Sequence, residues 1–284
     1  MKRILVQLDT DEHPSSFDAV VATDAGVEKV MSYGSVTIDN VEGLVHGAIF
    51  TRKPDDLKNT AIFVGGSDVE AGSRLFKKIT ETFIGPLKVS VMLDSNGSNT
   101  TAAAAVYYAA QHLTLSGAEA LVLGGTGPVG RRSAELLAAA GARVRLASRS
   151  QERAQAATAE VKRLVPDAKV VAFEFNDESL AAAVDGANLI IAAGAAGARF
   201  LTAEEITGID GLKVAIDLNA VPPVGLEGID PSDKAKELEG VICYGALGVG
   251  GLKMKIHRAA IVKLFTTNDL VLNTAAIYGL AKEI

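Results

Sequence analysis

The sequence is poor in residues that build cross-links and metal sites, with one cysteine and four histidines among 284 residues. The single cysteine, Cys243, excludes an intrachain disulfide and cannot by itself form a zinc site. The four histidines lack the spacing of metal ligands, so no metal site is predicted. The sequence also contains no P-loop, G-x-S-x-G or H-E-x-x-H motif.

A basic excess and a long apolar run are missing as well. The formal net charge of −6 argues against a nucleic-acid partner, which favours a basic face. Ser, Asn, Thr and Gln interrupt the longest charge-free run, residues 95–118, so no membrane span is predicted. Asp9, Asp11 and Glu12 follow only a short apolar run, so we expect no secretory signal and a cytoplasmic location.

The remaining composition, 48% hydrophobic and 22% charged residues, is that of a globular protein long enough for two domains. Short apolar strands alternate with helical patterns, which predicts an α/β fold with mostly parallel sheets. The predicted strands are residues 2–8, 60–64, 89–93, 120–123, 143–147, 169–173, 188–192, 213–217 and 241–244. A short helix is predicted to open at Asn176, Asp177 and Glu178.

The strongest motif is the turn from Gly125 to Gly130, which reads G-x-G-x-x-G between an apolar strand and an Ala/Leu-rich helix. Its first glycine suits a tight turn, the second lets the backbone approach a pyrophosphate, and the third permits close helix–strand packing. The helix N-terminus offers N–H groups to phosphates. The order of strand, turn and helix predicts a Rossmann-type dinucleotide site that includes Gly125, Thr126, Gly127, Pro128 and Val129.

The end of the next strand identifies the dinucleotide. A cofactor with a free ribose 2′-hydroxyl usually meets Asp or Glu there, whereas this sequence has Ser148, Arg149 and Ser150. A guanidinium and two hydroxyls suit a 2′-phosphate, so the sequence favours NADP over NAD. The alternative is a solvated basic turn. Ala193 and Gly194 follow another strand and leave room for the ribose or nicotinamide.

Two polar segments follow other strands. Residues 94–101 are eight consecutive small hydrogen-bonding residues between a strand and a helix, where ligands of open α/β sheets bind; Ser98 or Asn99 could instead simply cap the helix. Asn219 precedes the stiffening pair Pro222–Pro223 and is interpreted equally well as a site residue or a turn former.

A helix is predicted from about Leu252 to Phe265, with an apolar stripe at Leu252, Ile256, Ala260 and Leu264. Lys253 and His257 are four residues apart and share a different face of that helix. His257 is expected to be an ordinary surface or hydrogen-bonded residue rather than a catalyst.

Several segments together resemble one known family. They are Phe17-Asp18 and residues 61–66, 92–102, 125–130, 219–225, 228–230 and 245–253. They are similar to the bacterial methylene-tetrahydromethanopterin/methylene-tetrahydrofolate dehydrogenases of one-carbon metabolism, and the resemblance covers essentially the whole chain. The segments at 94–101 and 245–258 are more specific than the glycine turn. Within the family, the chain is closer to the strictly NADP-dependent branch.

The resemblance implies a pterin-binding domain, residues 1–98 plus 252–284, a Rossmann domain, residues 99–251, and an active site in the cleft between them. It implies a homo-oligomer, a trimer or a dimer of trimers. It assigns Lys253 and Asp94 to catalysis. It places substrate-binding residues at Phe17, Asp18, Asn96, Ser98, Asn99, Thr100 and Asn219, and assigns the NADP contacts to the glycine turn, Ser148, Arg149, Ser150, Ala193, Gly194 and Asn219.

The implied reaction is hydride transfer from the methylene carbon of the reduced pterin to NADP⁺. That carbon lies between two nitrogens whose lone pairs stabilise the resulting cation, so no general base is needed and positioning and electrostatics remain. A charged Lys253 beside the cation would oppose the reaction. It could be neutral through desolvation, bind the pterin farther off, or orient Asp94 or the substrate tail.

Two other functions stay open from the sequence. A Rossmann enzyme for another substrate, such as a shikimate-like polyol, could use Lys253 and Asp94 as a proton-transfer pair. A nucleotide-sensing module would bind NADP(H) without turnover, but it leaves residues 94–101 unexplained.

Overall fold

The computed structural model describes residues 1–176 and 178–284 and forms two compact units. The first consists of Met1–Thr100 and Met254–Ile284, and the second is Thr101–Lys253. The first unit is therefore discontinuous in sequence. The predicted domain boundaries lie two residues before the boundaries of these units at both crossings.

Strands and helices alternate along most of the chain. The strands are β1 (Ile4–Asp9), β2 (Lys29–Tyr33), β3 (Thr60–Gly65), β4 (Ser90–Leu93), β5 (Glu119–Leu123), β6 (Arg143–Ser148), β7 (Lys169–Glu174), β8 (Leu189–Ala192), β9 (Val214–Asp217), β10 (Lys234–Leu238), β11 (Val241–Tyr244) and β12 (Val271–Leu272). The helices are α1 (Ser16–Asp24), α2 (Val41–Ile49), α3 (Val69–Thr82), α4 (Ser98–Ala110), α5 (Pro128–Ala139), α6 (Gln151–Leu164), α7 (Leu180–Val184), α8 (Ala203–Thr207), α9 (Ala246–Lys263) and α10 (Thr274–Ala281).

The first unit contains a five-stranded parallel sheet in the order β12-β4-β3-β1-β2. β3 is buried along its whole length, as expected for a strand covered on both faces. The amphipathic helix α3 packs Leu75 and Ile79 into the core beside Ile62 of β3. Because all five strands run the same way, their carboxyl ends meet at one edge.

The second unit contains a seven-stranded sheet in the order β10-β11-β9-β8-β5-β6-β7. All neighbouring pairs are parallel except β10 and β11. Apart from β10, this is the strand order of a Rossmann sheet, and its direction of winding reverses between β5 and β8. The predicted α/β class and Rossmann-type sheet are thus confirmed.

The sequence analysis did not predict β2, α2, α8, β10 and β12. β12 has only two residues, and β2 and β10 are largely exposed, so they carry little of the apolar alternation that predicts a strand. The helix expected to open at Asn176 begins at Leu180, and residue 177 lies outside the described part of the chain. Within the described residues, no helix is long and apolar enough to cross a membrane.

Candidate functional site

The glycine turn of the second unit connects β5 to α5 at the reversal of the sheet. Gly127 is the N-cap of α5, supplies no side-chain cap, and is followed by Pro128 at the first helical position. Hydrogen bonding along the helix starts when Arg131 N donates to Gly127 O at 3.0 Å. The N–H groups of Val129 and Gly130 precede that bond and are oriented for an anion.

Close backbone packing explains the glycines around this turn. A Cβ on Gly130 would lie 2.6 Å from Gly124 O, and one on Gly124 would lie 2.6 Å from Gly194 Cα. Gly124 has φ +66° and belongs to the turn, although the motif pattern starts at Gly125. By contrast, a Cβ on Gly127 would meet nothing closer than 3.4 Å, so the second glycine leaves space at the helix N-terminus.

Ala193 and Gly194 follow β8, the strand beside β5. Ala193 N donates to Leu123 O at 2.9 Å, which joins the two strand ends. A Cβ on Gly194 would lie 2.3 Å from Cζ of Phe200. Packing alone therefore also explains the glycine at position 194, because the Phe200 ring fills the space that a side chain would need.

Ser148, Arg149 and Ser150 connect β6 to α6. Ser150 is the N-cap of α6 and its Oγ accepts from Arg153 N at 3.3 Å, while Ser148 Oγ accepts from Ser150 N at 3.3 Å. Arg149 is exposed. The serines thus form the turn, and the guanidinium of Arg149 is the group in this segment best exposed to an incoming phosphate.

Asn219 lies in a loop that is tied to the end of β9. Its Nδ2 donates to Pro223 O at 3.1 Å and its Oδ1 accepts from Val221 N at 2.9 Å. Asp217 is 1% exposed, and its carboxylate accepts from Asn219 N and Leu226 N. Burial raises the pKa of Asp217, and the backbone N–H groups partly offset that shift. These bonds support the turn-forming interpretation of Asn219.

In the first unit, the polar segment after β4 is mostly bonded to itself. Asp94 is 1% exposed. Its Oδ1 accepts from Asn99 N and Thr100 N at 2.9 and 3.0 Å, and its Oδ2 accepts from Thr100 Oγ1 at 2.7 Å. Asp94 therefore caps α4, a role the sequence analysis gave to Ser98 or Asn99.

The neighbouring polar side chains of Ser98 and Asn99 also form hydrogen bonds within the first unit. Ser98 Oγ donates to Ser95 O at 2.8 Å. Asn99 donates through Nδ2 to Leu93 O and accepts from Thr274 Oγ1 at 3.2 Å. Asn96 differs because it is exposed, with a left-handed φ of 54°. It is the polar side chain of this segment best placed to meet a ligand.

Phe17 and Asp18 lie in the first turn of α1, close to His257. The Asp18 Oδ1–His257 Nε2 distance is 3.9 Å, and the ring centroids of Phe17 and His257 are 6.3 Å apart. His257 is fully buried and stacks on Phe63, with centroids 5.6 Å apart and ring planes at 14°. The prediction that His257 could be a surface residue is therefore wrong, because the side chain is fully buried.

Lys253 is half-buried on α9, four residues before His257. Residues four apart share one face of a helix, which is the signal that could have linked His257 to the site. The apolar stripe predicted for this helix is confirmed by the burial of Leu252, Ile256 and Ala260. Among the described residues, no group of three His, Cys, Asp or Glu side chains could hold a metal ion.

Comparison with known proteins places this geometry in context. Residues 16–96 match the family model described as "Methylene-tetrahydromethanopterin dehydrogenase, N-terminal". The "Bifunctional protein MdtA" of Methylorubrum extorquens AM1 is 47% identical over 285 residues, covering 100% of this chain and 99% of that protein. The "NAD(P)-dependent methylenetetrahydromethanopterin dehydrogenase" of the same organism is 32% identical over 293 residues, with the same coverage of both chains.

Among solved structures, the quinate dehydrogenase from Corynebacterium glutamicum in complex with NAD has a TM-score of 0.55. It is 14% identical, and the match covers 100% of this chain and 99% of that one. At this identity the likeness concerns the fold alone, and it agrees with the two α/β units described above.

Proposed function

Because this chain belongs to the methylene-tetrahydromethanopterin dehydrogenase family, we propose that it transfers a hydride from the methylene carbon of methylene-tetrahydromethanopterin to NADP⁺, giving the methenyl form. The observation that carries this proposal is the 47% and 32% identity to two relatives over the full length of the chain. The uncapped glycine turn at the sheet reversal supports the cofactor part independently.

The second unit supplies the groups that would hold NADP. The first-turn N–H groups of α5, at Val129 and Gly130, would bind the pyrophosphate, and the space beside Gly127 admits it. Arg149, which is exposed, would bind the 2′-phosphate. When bound, NADP⁺ accepts the hydride at its nicotinamide ring.

The first unit supplies the proposed pterin contacts. Phe17, with 51% of its surface exposed, Asp18 and the exposed Asn96 are the residues we assign to direct contact. We give Asp94, Ser98, Asn99 and Thr100 a positioning role, because their polar atoms bond to one another and to the backbone of the loop. Asn219, whose amide closes its own loop, would act through the shape of that loop.

The chemistry asks little of acid–base groups. Hydride loss leaves a cation whose charge is shared by the two nitrogens next to the methylene carbon, and no proton has to move in that step. The protein must hold donor and acceptor carbons close together and keep water away. The proposed site accordingly needs no Ser-His-Asp arrangement and no pair of carboxylates.

Lys253 is the residue we assign to turnover. Lys253→Ala should lower kcat at least tenfold while the affinity for NADP stays within about twofold, since a lost polar contact to the reacting substrate is worth about 1.5 kcal/mol or more. Wild-type turnover in this variant would remove Lys253 from the site. Exposed Lys255 on the same helix provides the control, because Lys255→Ala should change neither quantity.

A reduction assay tests the proposed function. Purified protein is mixed with methylene-tetrahydromethanopterin or methylene-tetrahydrofolate and with NADP⁺ or NAD⁺, and the reduced nicotinamide is followed by its fluorescence. We expect reduction of NADP⁺ with the methanopterin substrate. No reduction with either pterin would overturn the proposal, and the ratio of the two rates identifies the preferred pterin.

We also propose a homo-oligomer, on the basis of the family resemblance. Light scattering on the eluted protein gives its mass directly. A trimer or hexamer agrees with the proposal, whereas a monomer at micromolar concentration contradicts it.

A further inference from the structure

The imidazole of His257 is a buried polar group in the first unit that the proposed reaction does not use. It is 0% exposed, and its ring centroid lies 5.6 Å from that of Phe63 and 6.3 Å from that of Phe17. Burying a polar ring costs free energy unless it has a polar partner. Stacking on Phe63 holds the plane of the ring, which also holds the direction of Nε2.

Nε2 of this ring faces the carboxylate of Asp18. The Nε2–Oδ1 distance of 3.9 Å lies within electrostatic contact but beyond an ordinary hydrogen bond. Asp18 keeps 15% of its side chain exposed. The Asp18 carboxylate thus has a buried imidazole near Oδ1, while part of the side chain is exposed to solvent.

The other oxygen of Asp18 lies on the side of Gly65. A Cβ built on Gly65 would be 3.7 Å from Asp18 Oδ2, 3.3 Å from Phe63 Cε1 and 3.0 Å from Asp9 Oδ2. A side chain at position 65 would therefore crowd Asp9 and Phe63, and glycine lets the Asp18 carboxylate lie close to the end of β3. Oδ1 has the imidazole nearby, and the exposed 15% of the Asp18 side chain is the part that a substrate N–H group would meet.

We propose that His257 is a positioning residue that holds the Asp18 carboxylate ready for N–H donors of the pterin ring. This inference rests on the proposed function. A pterin presents adjacent ring and amino N–H groups, and a carboxylate with two oxygens accepts such donors well. A charge or dipole beside Oδ1 restricts rotation of the carboxylate. Less conformational entropy is then lost when substrate binds.

Two substitutions of His257 separate this role from packing. His257→Phe keeps an aromatic ring against Phe63 but removes Nε2, whereas His257→Gln keeps an N–H donor. We expect His257→Phe to raise the KM for the pterin about tenfold, because the variant loses a polar contact to a charged group. The KM for NADP⁺ and kcat should stay within about twofold, and His257→Gln should recover most of the pterin KM.

The double variant tests whether His257 acts through Asp18. Asp18→Asn alone should raise the pterin KM, and His257→Phe should then add little to it, because the group to be positioned is already altered. Additive effects would contradict the inference. His46→Phe is the matched control: His46 also contacts a phenyl ring, with centroids 5.1 Å apart, and its pterin KM should equal the wild-type value.

The same experiment distinguishes the two proposals. A wild-type protein that reduces no NADP⁺ with either pterin refutes the proposed function. A wild-type protein that turns over, together with a His257→Phe variant of unchanged pterin KM, refutes only the positioning role. If His257→Phe weakens NADP and pterin equally, its effect is on the whole fold and the inference is wrong.

Discussion

The N-termini of α4 and α5 occupy similar positions in their units but differ in how their backbone N–H groups are capped. Each helix follows a buried strand at the carboxyl edge of a parallel sheet. At α4, the Asp94 carboxylate accepts from Asn99 N and Thr100 N. At α5, Gly127 provides no side-chain cap. The protein thus fills one helix N-terminus with its own anion and leaves the other without a side-chain cap, where we propose that a phosphate binds.

The comparison shows that many hydrogen-bonding residues in a segment do not by themselves indicate a ligand site. The segment at 94–101 is rich in hydrogen-bonding residues, yet most of its polar atoms bond to the loop itself. The glycine turn has few polar side chains, and its backbone N–H groups make it suitable for an anion. In this chain, the backbone N–H groups at the start of α5 have no side-chain cap, whereas those at the start of α4 are bonded to Asp94.

The largest expected effect comes from giving α5 an acid of its own. Gly127→Asp places a carboxylate where the pyrophosphate would lie, and the Cβ has room because its nearest neighbour is 3.4 Å away. Two like charges about 4 Å apart at an effective dielectric of 20 repel by about 4 kcal/mol. NADPH affinity, measured by its fluorescence, should fall by several hundredfold.

Stability provides the control for that variant. Asp is a better N-cap than Gly by a few tenths of a kcal/mol, so the urea midpoint of Gly127→Asp should equal or exceed that of the wild type. Gly127→Ala adds the Cβ without charge and should cost much less affinity. NADPH binding that survives Gly127→Asp would show that the phosphates lie elsewhere.

The second effect comes from emptying the other helix N-terminus. In a buried segment, Asp94→Ala leaves Asn99 N and Thr100 N without their acceptor and leaves the Thr100 hydroxyl only its 3.3 Å bond to Gly97 O. We expect a loss of about 2–3 kcal/mol in the free energy of unfolding, measured by urea denaturation. Exposed Asp68, which caps α3 through Glu70 N and Ala71 N, should cost only about 1 kcal/mol on replacement by Ala.

Asp94→Asn separates folding from catalysis. Asn can still accept through its carbonyl oxygen and should retain part of the stability. If turnover of the folded Asp94→Asn protein equals that of the wild type, Asp94 is a cap alone. A large loss of kcat at unchanged stability would restore its predicted catalytic role.

A smaller effect is expected at the exposed guanidinium. Arg149→Ala would remove the proposed charge-assisted contact to the 2′-phosphate, which is worth about 1.5–2 kcal/mol. The KM for NADP⁺ should rise about 10- to 30-fold, and the KM for NAD⁺ should stay constant or fall. Arg153, one turn into α6, is exposed as well, and Arg153→Ala should leave the ratio of the two constants unchanged.

The sequence was sufficient for the Rossmann unit because its signals are local. Spacing within six residues predicts the turn at Gly125–Gly130, and the strand that precedes it has a continuous apolar run. The role of Asp94 is not local in the same way. A short 3-10 turn, with Asn96 at φ 54°, folds the chain back so that Asp94 reaches Asn99 and Thr100. Cap rules based on adjacent positions assign that role to Ser98 or Asn99.

His257 illustrates a second limit. Its neighbours Phe17, Asp18 and Phe63 are about 190 to 240 residues away in sequence, and they meet only because α9 returns to the first unit. Helical spacing placed His257 on the face of Lys253, but the sequence alone had no means to bury that face. Long-range packing, rather than any motif, makes this histidine part of the candidate site.

The smallest effect concerns Asp217, which like Asp94 is a buried carboxylate at the end of a strand. Burial raises the pKa of Asp217 above 3.8 despite its backbone N–H donors, so the folded protein holds this proton more tightly than the unfolded chain does. The contribution of Asp217 to stability is therefore fully present below pH 3.8 and declines as pH rises through the raised pKa. In Asp217→Asn this decline should vanish, although the variant is less stable overall. Urea midpoints between about pH 4 and 7 measure the slope, with exposed Asp210→Asn as control. If both variants follow the wild-type slope, Asp217 is ionised in the folded protein throughout this range, and its N–H donors outweigh its burial.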